Sequence, residues 1–427
     1  MILILIFFYF FIFYLFFIVF KRKEGLLSTF FFFGVSFSIY NVGIPIEALI
    51  TGYNSIELVL SDYESELVYL SSEKIFFILV LSNLGLLFFG TGLYFGADIF
   101  STLKNDNLNF VRSPYIIIIL LLFLLLFFFK NQILSSSDYA TSYDIAYENH
   151  VFSFFVSLLT SIIPIYVGYF FLNRKISLFT GILFLTFVFY WAMFTSNKDP
   201  ILLSILSLVC FFYKKLKMPS YVFILFTIFI SAALILAVIS FSQYRVGGDI
   251  DLIGFIENNG LLRYIEPAGP MGTLLISLDE TNSFLLGKTY LDAFYIWIPK
   301  FIFPARPLDI AEVFAQKHMT GWKPGMGMGF SLLAESYLNF GLFGPIIQYF
   351  FLGLIWTYFW EFIKNMFTKA DYSYFLSIYI VLGYYVLILM HRSPISFIFS
   401  VLIKSLIIFI IFYFILDRNR HESTLGS

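Results

Sequence analysis

Residues 2–20 read ILILIFFYFFIFYLFFIVF, carry no charge, and run straight into Lys21-Arg22-Lys23. A helix rises about 1.5 Å per residue, so roughly twenty apolar residues match a hydrocarbon core of about 30 Å. The stretch therefore reads as a membrane-spanning helix. It is expected to be retained, because the positive residues follow the apolar run instead of preceding it and no small-residue cleavage site closes it. The pattern recurs at 26–45, 75–97, 114–129, 151–172, 176–194, 201–213, 221–241, 345–362, 374–390 and 395–416, which makes eleven expected spans. The stretch 201–213 is short for a span, so it is expected either to tilt little or to borrow Pro200 as its first helical residue.

Composition agrees. The 427 residues are 60% hydrophobic and 12% charged, where a soluble domain has roughly 45–50% and about 25%. In lipid only helices and closed barrels satisfy the backbone, and no ten-residue alternation marks barrel strands, so the fold is expected to be all-α and polytopic. A formal net charge of −1 with no basic stripe excludes nucleic acid as a partner. The single cysteine, Cys210, can form no internal disulfide. His150, His318, His391 and His421 are scattered, with no metal-ligand spacing. No metal and no cofactor is expected.

Lys and Arg gather on the cytoplasmic side of short loops. Asn173-Arg174-Lys175 and Lys214-Lys215-Leu216-Lys217 therefore belong inside, whereas the acidic stretch 47–73 suits the outside. The expected topology is N-out and C-in. It divides the chain into an N-terminal bundle of about eight spans (1–241), a long external loop with interfacial or re-entrant helices (242–344), and about three C-terminal spans with a short tail (345–427).

The loop holds the candidate chemistry. Arg245, Arg263, Arg306 and Lys323, with Arg392 further on, all fall on the outer face, against the inside bias. Attraction to lipid phosphates would draw cations to the inner side instead, so an anionic ligand is the sharper reading. The planar guanidinium fork suits a diphosphate, which it can bind through paired hydrogen bonds. No Walker or dinucleotide glycine pattern accompanies these residues, so a nucleotide is not implied. The segment 290–303 is apolar with Tyr295, Trp297 and Lys300, and is expected at headgroup level as a lid. Glu335, between Leu332, Leu333, Tyr337 and Leu338, is a candidate base, as is His318. The segment 331–340 ends at Gly341, and Pro345 opens a separate helix. Lys404 lies near the middle of the last span and reads as structural or as part of a pathway.

These residues stand in a familiar order. Tyr244-Arg245-x-Gly247, Arg263, Ile298-Pro299-Lys300-Phe301-Ile302-Phe303-Pro304-x-Arg306-Pro307 and Gly327-x-Gly329-Phe330-Ser331-x-x-Ala334-Glu335-x-Tyr337-x-Asn339-Phe340-Gly341-x-x-Gly344 resemble the Wzy-type polymerases of O-antigen and similar repeat-unit polysaccharides. The resemblance implies a multi-spanning glycosyltransferase of the bacterial cytoplasmic membrane with its active site on the periplasmic or external face. Its substrates would be glycans linked to undecaprenyl diphosphate, and a chain-length regulator protein is a further partner to expect. Arg245, Arg263 and Arg306 would meet the diphosphate, and Glu335 or His318 would deprotonate the attacking sugar hydroxyl, inverting the anomeric carbon without a metal. The related O-antigen ligases carry an Arg-x-x-x-Leu element at the outer end of a span; here the comparable place reads Lys198-Asp199-Pro200-Ile201-Leu202, a departure that puts Lys198 where the ligases have arginine and weakens an equivalent substrate-binding role for it. The rival readings are such a ligase, and a flippase or transporter for lipid-linked oligosaccharides. The latter calls for internal repeats and ionisable residues at the midplane, and only Lys404 is deep.

Overall fold

The computed structural model describes residues 1–24, 28–52, 55–61, 64–100, 262, 267–280, 284–298, 300, 302–319, 322, 327–366 and 386–404. The expected spans at 114–129, 151–172, 176–194, 201–213 and 221–241 lie outside these residues, as does most of 374–390 and 395–416. So do Lys198, Arg245, Arg263 and Lys323.

The protein is a mostly helical integral membrane protein. Among the described residues four stretches are long and apolar enough to cross a bilayer: Ile2–Arg22, Thr29–Thr51, Ser72–Phe100 and Leu332–Glu361. The first lies in α1 (Ile2–Glu24), whose apolar face meets the chain's next helix. That second stretch is built from α2 (Thr29–Ser38), a π turn (Ile39–Gly43) and α3 (Ile44–Thr51). The Ser28 hydroxyl caps α2 by accepting from Phe31 N–H at 3.3 Å. The span was expected to end at Pro45, yet the helix passes through it. A proline lacks the N–H and crowds the carbonyl four residues back, and the wider π turn lying there removes that conflict. Gly52, at φ +74°, closes α3.

Between α3 and α4 (Ser72–Phe100) the chain is not helical. Antiparallel strands β1 (Ser55–Ser61) and β2 (Glu64–Tyr69) form a hairpin with Ser55 opposite Tyr69 and a bulge between Val59 and Ser61. The mostly helical expectation holds, and this hairpin is the exception to it among the described residues: Ile56-Glu57-Leu58 alternates with the period of a strand. A second unexpected element, α5 (Ala268–Asp279), packs on this hairpin. The pair Lys74–Asp279, 2.6 Å apart, ties its end to the start of α4.

Beyond α5 the chain forms α6 (Lys288–Ile296), α7 (Ile310–His318), α8 (Leu332–Phe340), a 3-10 turn (Gly341–Phe343) and α9 (Gly344–Met366). The turn α10 (Val386–Leu389) and the helix α11 (Ile395–Lys404) complete the described chain. α8 and α9 are separate pieces, as the glycine and proline predict. Gly341 sits at φ +59°, where a Cβ would also lie 2.8 Å from the Phe284 ring.

Small residues bring α4 and α9 together. A Cβ on Gly92 would lie 2.2 Å from the Phe350 carbonyl oxygen, and one on Gly353 would lie 2.6 Å from that of Phe89. A Cβ on Gly96 would lie 2.7 Å from Thr357 Cβ. Gly92-x-x-x-Gly96 faces Gly353-x-x-x-Thr357 in register, so the helices run parallel in backbone contact. Apolar side chains gain little from leaving lipid for another apolar surface, and close packing of this kind supplies the association instead. α1 runs the same way, with Asn83 Nδ2 donating to the Leu5 carbonyl at 3.2 Å. α2 runs opposite: Tyr9 bonds Ser38 at 2.9 Å, while Phe16 stacks near Phe30. Phe33, Phe37, Phe89 and Tyr349 fill the centre, and His391 lies edge-on to Phe33 and Phe37 at 5.0 and 5.3 Å.

Gly92→Leu or Gly353→Leu is expected to lower the unfolding midpoint of the detergent-solubilised protein by several degrees, since overpacking costs about 1–3 kcal/mol and here the neighbour is backbone. Gly269→Ala, whose Cβ would meet Gly329 Cα at 3.6 Å, should leave it unchanged.

Candidate functional site

Glu335 lies on the first turn of α8, fully buried between Leu333, Ala334 and Leu338. Ser331 caps the helix by accepting from Ala334 N–H at 3.0 Å, which sets the turn. A carboxyl in such surroundings needs donors, because an unpaired buried charge is very costly. Glu335 Oε2 accepts the Ile395 N–H at 2.7 Å. That amide opens α11, where orphan N–H groups and the helix dipole favour an anion. Glu335 Oε1 is buried with no hydrogen bond of ordinary geometry among the described residues, and the Thr289 hydroxyl, whose oxygen accepts from Asn339, is the side-chain donor that bears on this carboxyl.

A second carboxyl, absent from the sequence expectations, reaches the same turn. Asp309 caps α7, its Oδ1 accepting the Ala311 N–H at 2.8 Å, and its Oδ2 accepts the Ser396 hydroxyl at 2.5 Å. Burial pushes its pKa above the usual carboxylate range, with the bonds from Ser396 and Ala311 opposing. Asp309 and Glu335 are close enough for the charge of one to bear on the other. The signal that was present is Asp309-x-x-Glu312, the spacing of a capping box.

Arg306 precedes Asp309 by one turn of loop. Its Nη1 donates to the carbonyls of Ile296 and, at 2.9 Å, Ile298, while its Nε is buried with no partner among the described residues. The guanidinium thus holds the C-terminal end of α6, where a cation suits the helix dipole. Burial pushes its pKa below the ordinary value, and Glu312 and Asp309 pull it back up.

α6 covers this cluster. Asn339, fully buried on α8, donates to Thr289 Oγ1 and to the Glu335 carbonyl, both at 2.8 Å, and accepts the Gly287 N–H at 2.9 Å. Tyr290 donates its hydroxyl to Gln348 Oε1 at 2.9 Å. Burial, then the charge of Glu335, pushes the Tyr290 phenol up, with Asn339 opposing. The outward face of α6 is apolar, with Leu291 65% and Phe294 58% exposed, as the amphipathic segment 290–303 predicts, although the helix itself stops at Ile296.

His318 does not join the cluster. It ends α7, the helix Asp309 begins, about 12 Å along the axis at 1.5 Å per residue. There its Nε2 lies 2.8 Å from Glu280 Oε1, which Lys317 also contacts. Arg392 sits in the turn before α11, its carbonyl accepting the Phe330 N–H at 3.3 Å. Among the described residues no cluster of three His, Cys, Asp or Glu side chains has the spacing to hold a metal ion. What the arrangement can do is accept a proton at Glu335 Oε1, with a second carboxyl, Asp309, near enough for its charge to bear on the first.

Asn339→Ala leaves the Gly287 N–H unpaired and unties Thr289. It is expected to raise hydrogen exchange across α6 by an amount corresponding to about 1–3 kcal/mol of local stability, read by mass spectrometry against unchanged amides in α4.

No curated protein and no solved structure matches the chain. The family model for the O-antigen polysaccharide polymerase Wzy matches residues 317–419, about a quarter of the chain. The matched stretch takes in His318, Lys323, Glu335 and Arg392 and begins after Arg306. Over those residues the chain is similar to the O-antigen polysaccharide polymerase Wzy family, the one its motifs resemble.

Proposed function

We propose that this membrane protein polymerises oligosaccharide repeat units carried on undecaprenyl diphosphate, at the outer face of the bacterial cytoplasmic membrane. The observation that carries the reading is Glu335. A fully buried carboxyl with one oxygen held by a helix-terminal amide and the other without a bond of ordinary geometry among the described residues, inside the stretch matching the polymerase family, suits a general base. The non-reducing-end hydroxyl of an incoming lipid-linked unit gives its proton to Glu335 Oε1. Its oxygen bonds to the anomeric carbon of the growing chain as that carbon's bond to the diphosphate oxygen breaks, and a single displacement inverts the centre. Undecaprenyl diphosphate leaves with the bonding pair, its charge met by cations, so no metal is needed.

Arg306 is the described residue suited to that charge, through its Nε, which has no partner among the described residues, and by trading carbonyl oxygens for phosphate oxygens. Arg245, Arg263, Lys198, Lys323 and Arg392 are proposed to complete the diphosphate site, and α6 to cover it as a lid. His318, paired with Glu280, ranks below Glu335 as the base. A chain-length regulator is a further proposed partner.

The test is complementation of a strain that makes the cognate repeat unit but lacks its polymerase. The parent chain is expected to restore a long glycan ladder. Glu335→Gln should leave single repeat units at normal membrane levels, since losing a general base costs about 10²- to 10⁴-fold. Arg306→Ala should shorten the ladder severely, and His318→Ala should leave it long. A full ladder from Glu335→Gln would remove the base assignment, whereas single units from the parent chain would remove the polymerase reading.

A further inference from the structure

We infer that Asp309, acting through Ser396, is a positioning residue that fixes the reach of Glu335. Two carboxyls arrive from different helices at one place, the first turn of α11. The Ile395 amide, first backbone donor of that turn after the N–H-less Pro394, goes to Glu335 Oε2 at 2.7 Å. The neighbouring Ser396 hydroxyl goes to Asp309 Oδ2 at 2.5 Å.

Counting acceptors separates the two roles. Asp309 has both oxygens engaged, one by Ser396 and one by the Ala311 N–H at 2.8 Å. Glu335 has one held by a backbone amide and one, Oε1, buried without a bond of ordinary geometry among the described residues, where the Thr289 hydroxyl is the side-chain donor that bears on it. Asp309 is therefore the anchor, and Glu335 is the carboxyl with a lone pair to offer. Ser396 is also buried, so the link it makes is shielded from competing water. Because Ser396 is adjacent to Ile395, any shift of that turn moves the amide against which Glu335 rests.

The kinetic part of the test rests on the polymerase reading, and the spectroscopic part does not. In lipid nanodiscs, with undecaprenyl-diphosphate-linked repeat units extracted from the complemented strain, Ser396→Ala is expected to lower kcat about tenfold, a slight misplacement of a reacting group. KM should stay within about twofold, because substrate binding is untouched. Ser396→Thr should restore kcat. Asp309→Asn keeps both bonds, its amide oxygen accepting from Ala311 and its amide nitrogen donating to the Ser396 oxygen, and should remain near the parent. Asp309→Ala should match Ser396→Ala.

Independently of any activity, the infrared carboxyl band that Glu335→Gln abolishes is expected to shift in Ser396→Ala and to return in Ser396→Thr. An unmoved band together with parental kcat in Ser396→Ala overturns the positioning role, and so does a loss in which KM alone rises. A shifted band in a protein that forms no polymer keeps the positioning role and removes the polymerase reading instead.

Discussion

Gly92 and Gly353 allow α4 and α9 to touch along their backbones, and the arrangement around Glu335 follows from that contact. With α9 held parallel to α4, the chain entering α9 must turn sharply to lay α8 beside it. Gly341 and Gly344 make the turn: Gly341 takes a positive φ, and a Cβ on Gly344 would fall 1.9 Å from the Ser336 carbonyl oxygen. α8 is thereby pressed into the bundle, with Leu332, Leu333, Ala334 and Glu335 all buried. A carboxyl inside a membrane protein is expensive unless donors meet it. The start of α11 meets half of this one, and among the described residues no bond of ordinary geometry meets the other half.

That half-satisfied state separates a candidate base from a structural acid. Asp309 shows the contrast a few residues away in space, with each oxygen bonded and its helix capped. Arg306 shows a related economy. Its guanidinium holds α6 by two carbonyls and leaves Nε without a partner among the described residues, so the group that suits a diphosphate also fastens the helix over the site. An arginine spent wholly on an ion pair would have no such second use.

Some of this was legible along the chain. Uncharged runs near twenty residues long identify the spans at 2–20 and 75–97 because crossing a bilayer is a matter of length and local apolarity. The separation of α8 from α9 was readable at Gly341 and Pro345, where backbone freedom and a missing N–H act within one or two residues. Glu335 stood out as an acid among leucines. The hairpin at 55–69 was hidden by its charge, since acidic residues alternating with apolar ones also suit an outer loop. The passage of α3 through Pro45 was not foreseeable, because a π turn, which a local proline rule does not anticipate, removes the clash.

The sequence by itself determined that the protein crosses the membrane, that it is mostly helical, and that basic and acidic residues gather around 244–344. Each of these depends on composition or on neighbours a few positions apart. Only the tertiary structure decided which of those residues meet. Asp309 and Glu335 are separated along the chain and joined solely because α7, α8 and α11 converge. His318, equally suggestive on paper, is carried to the far end of α7, where Glu280 takes it. The uneven bonding of the two Glu335 oxygens among the described residues was likewise invisible in the sequence, since hydrogen-bond satisfaction is a count of donors supplied by other helices, and no stretch of chain carries that count alone.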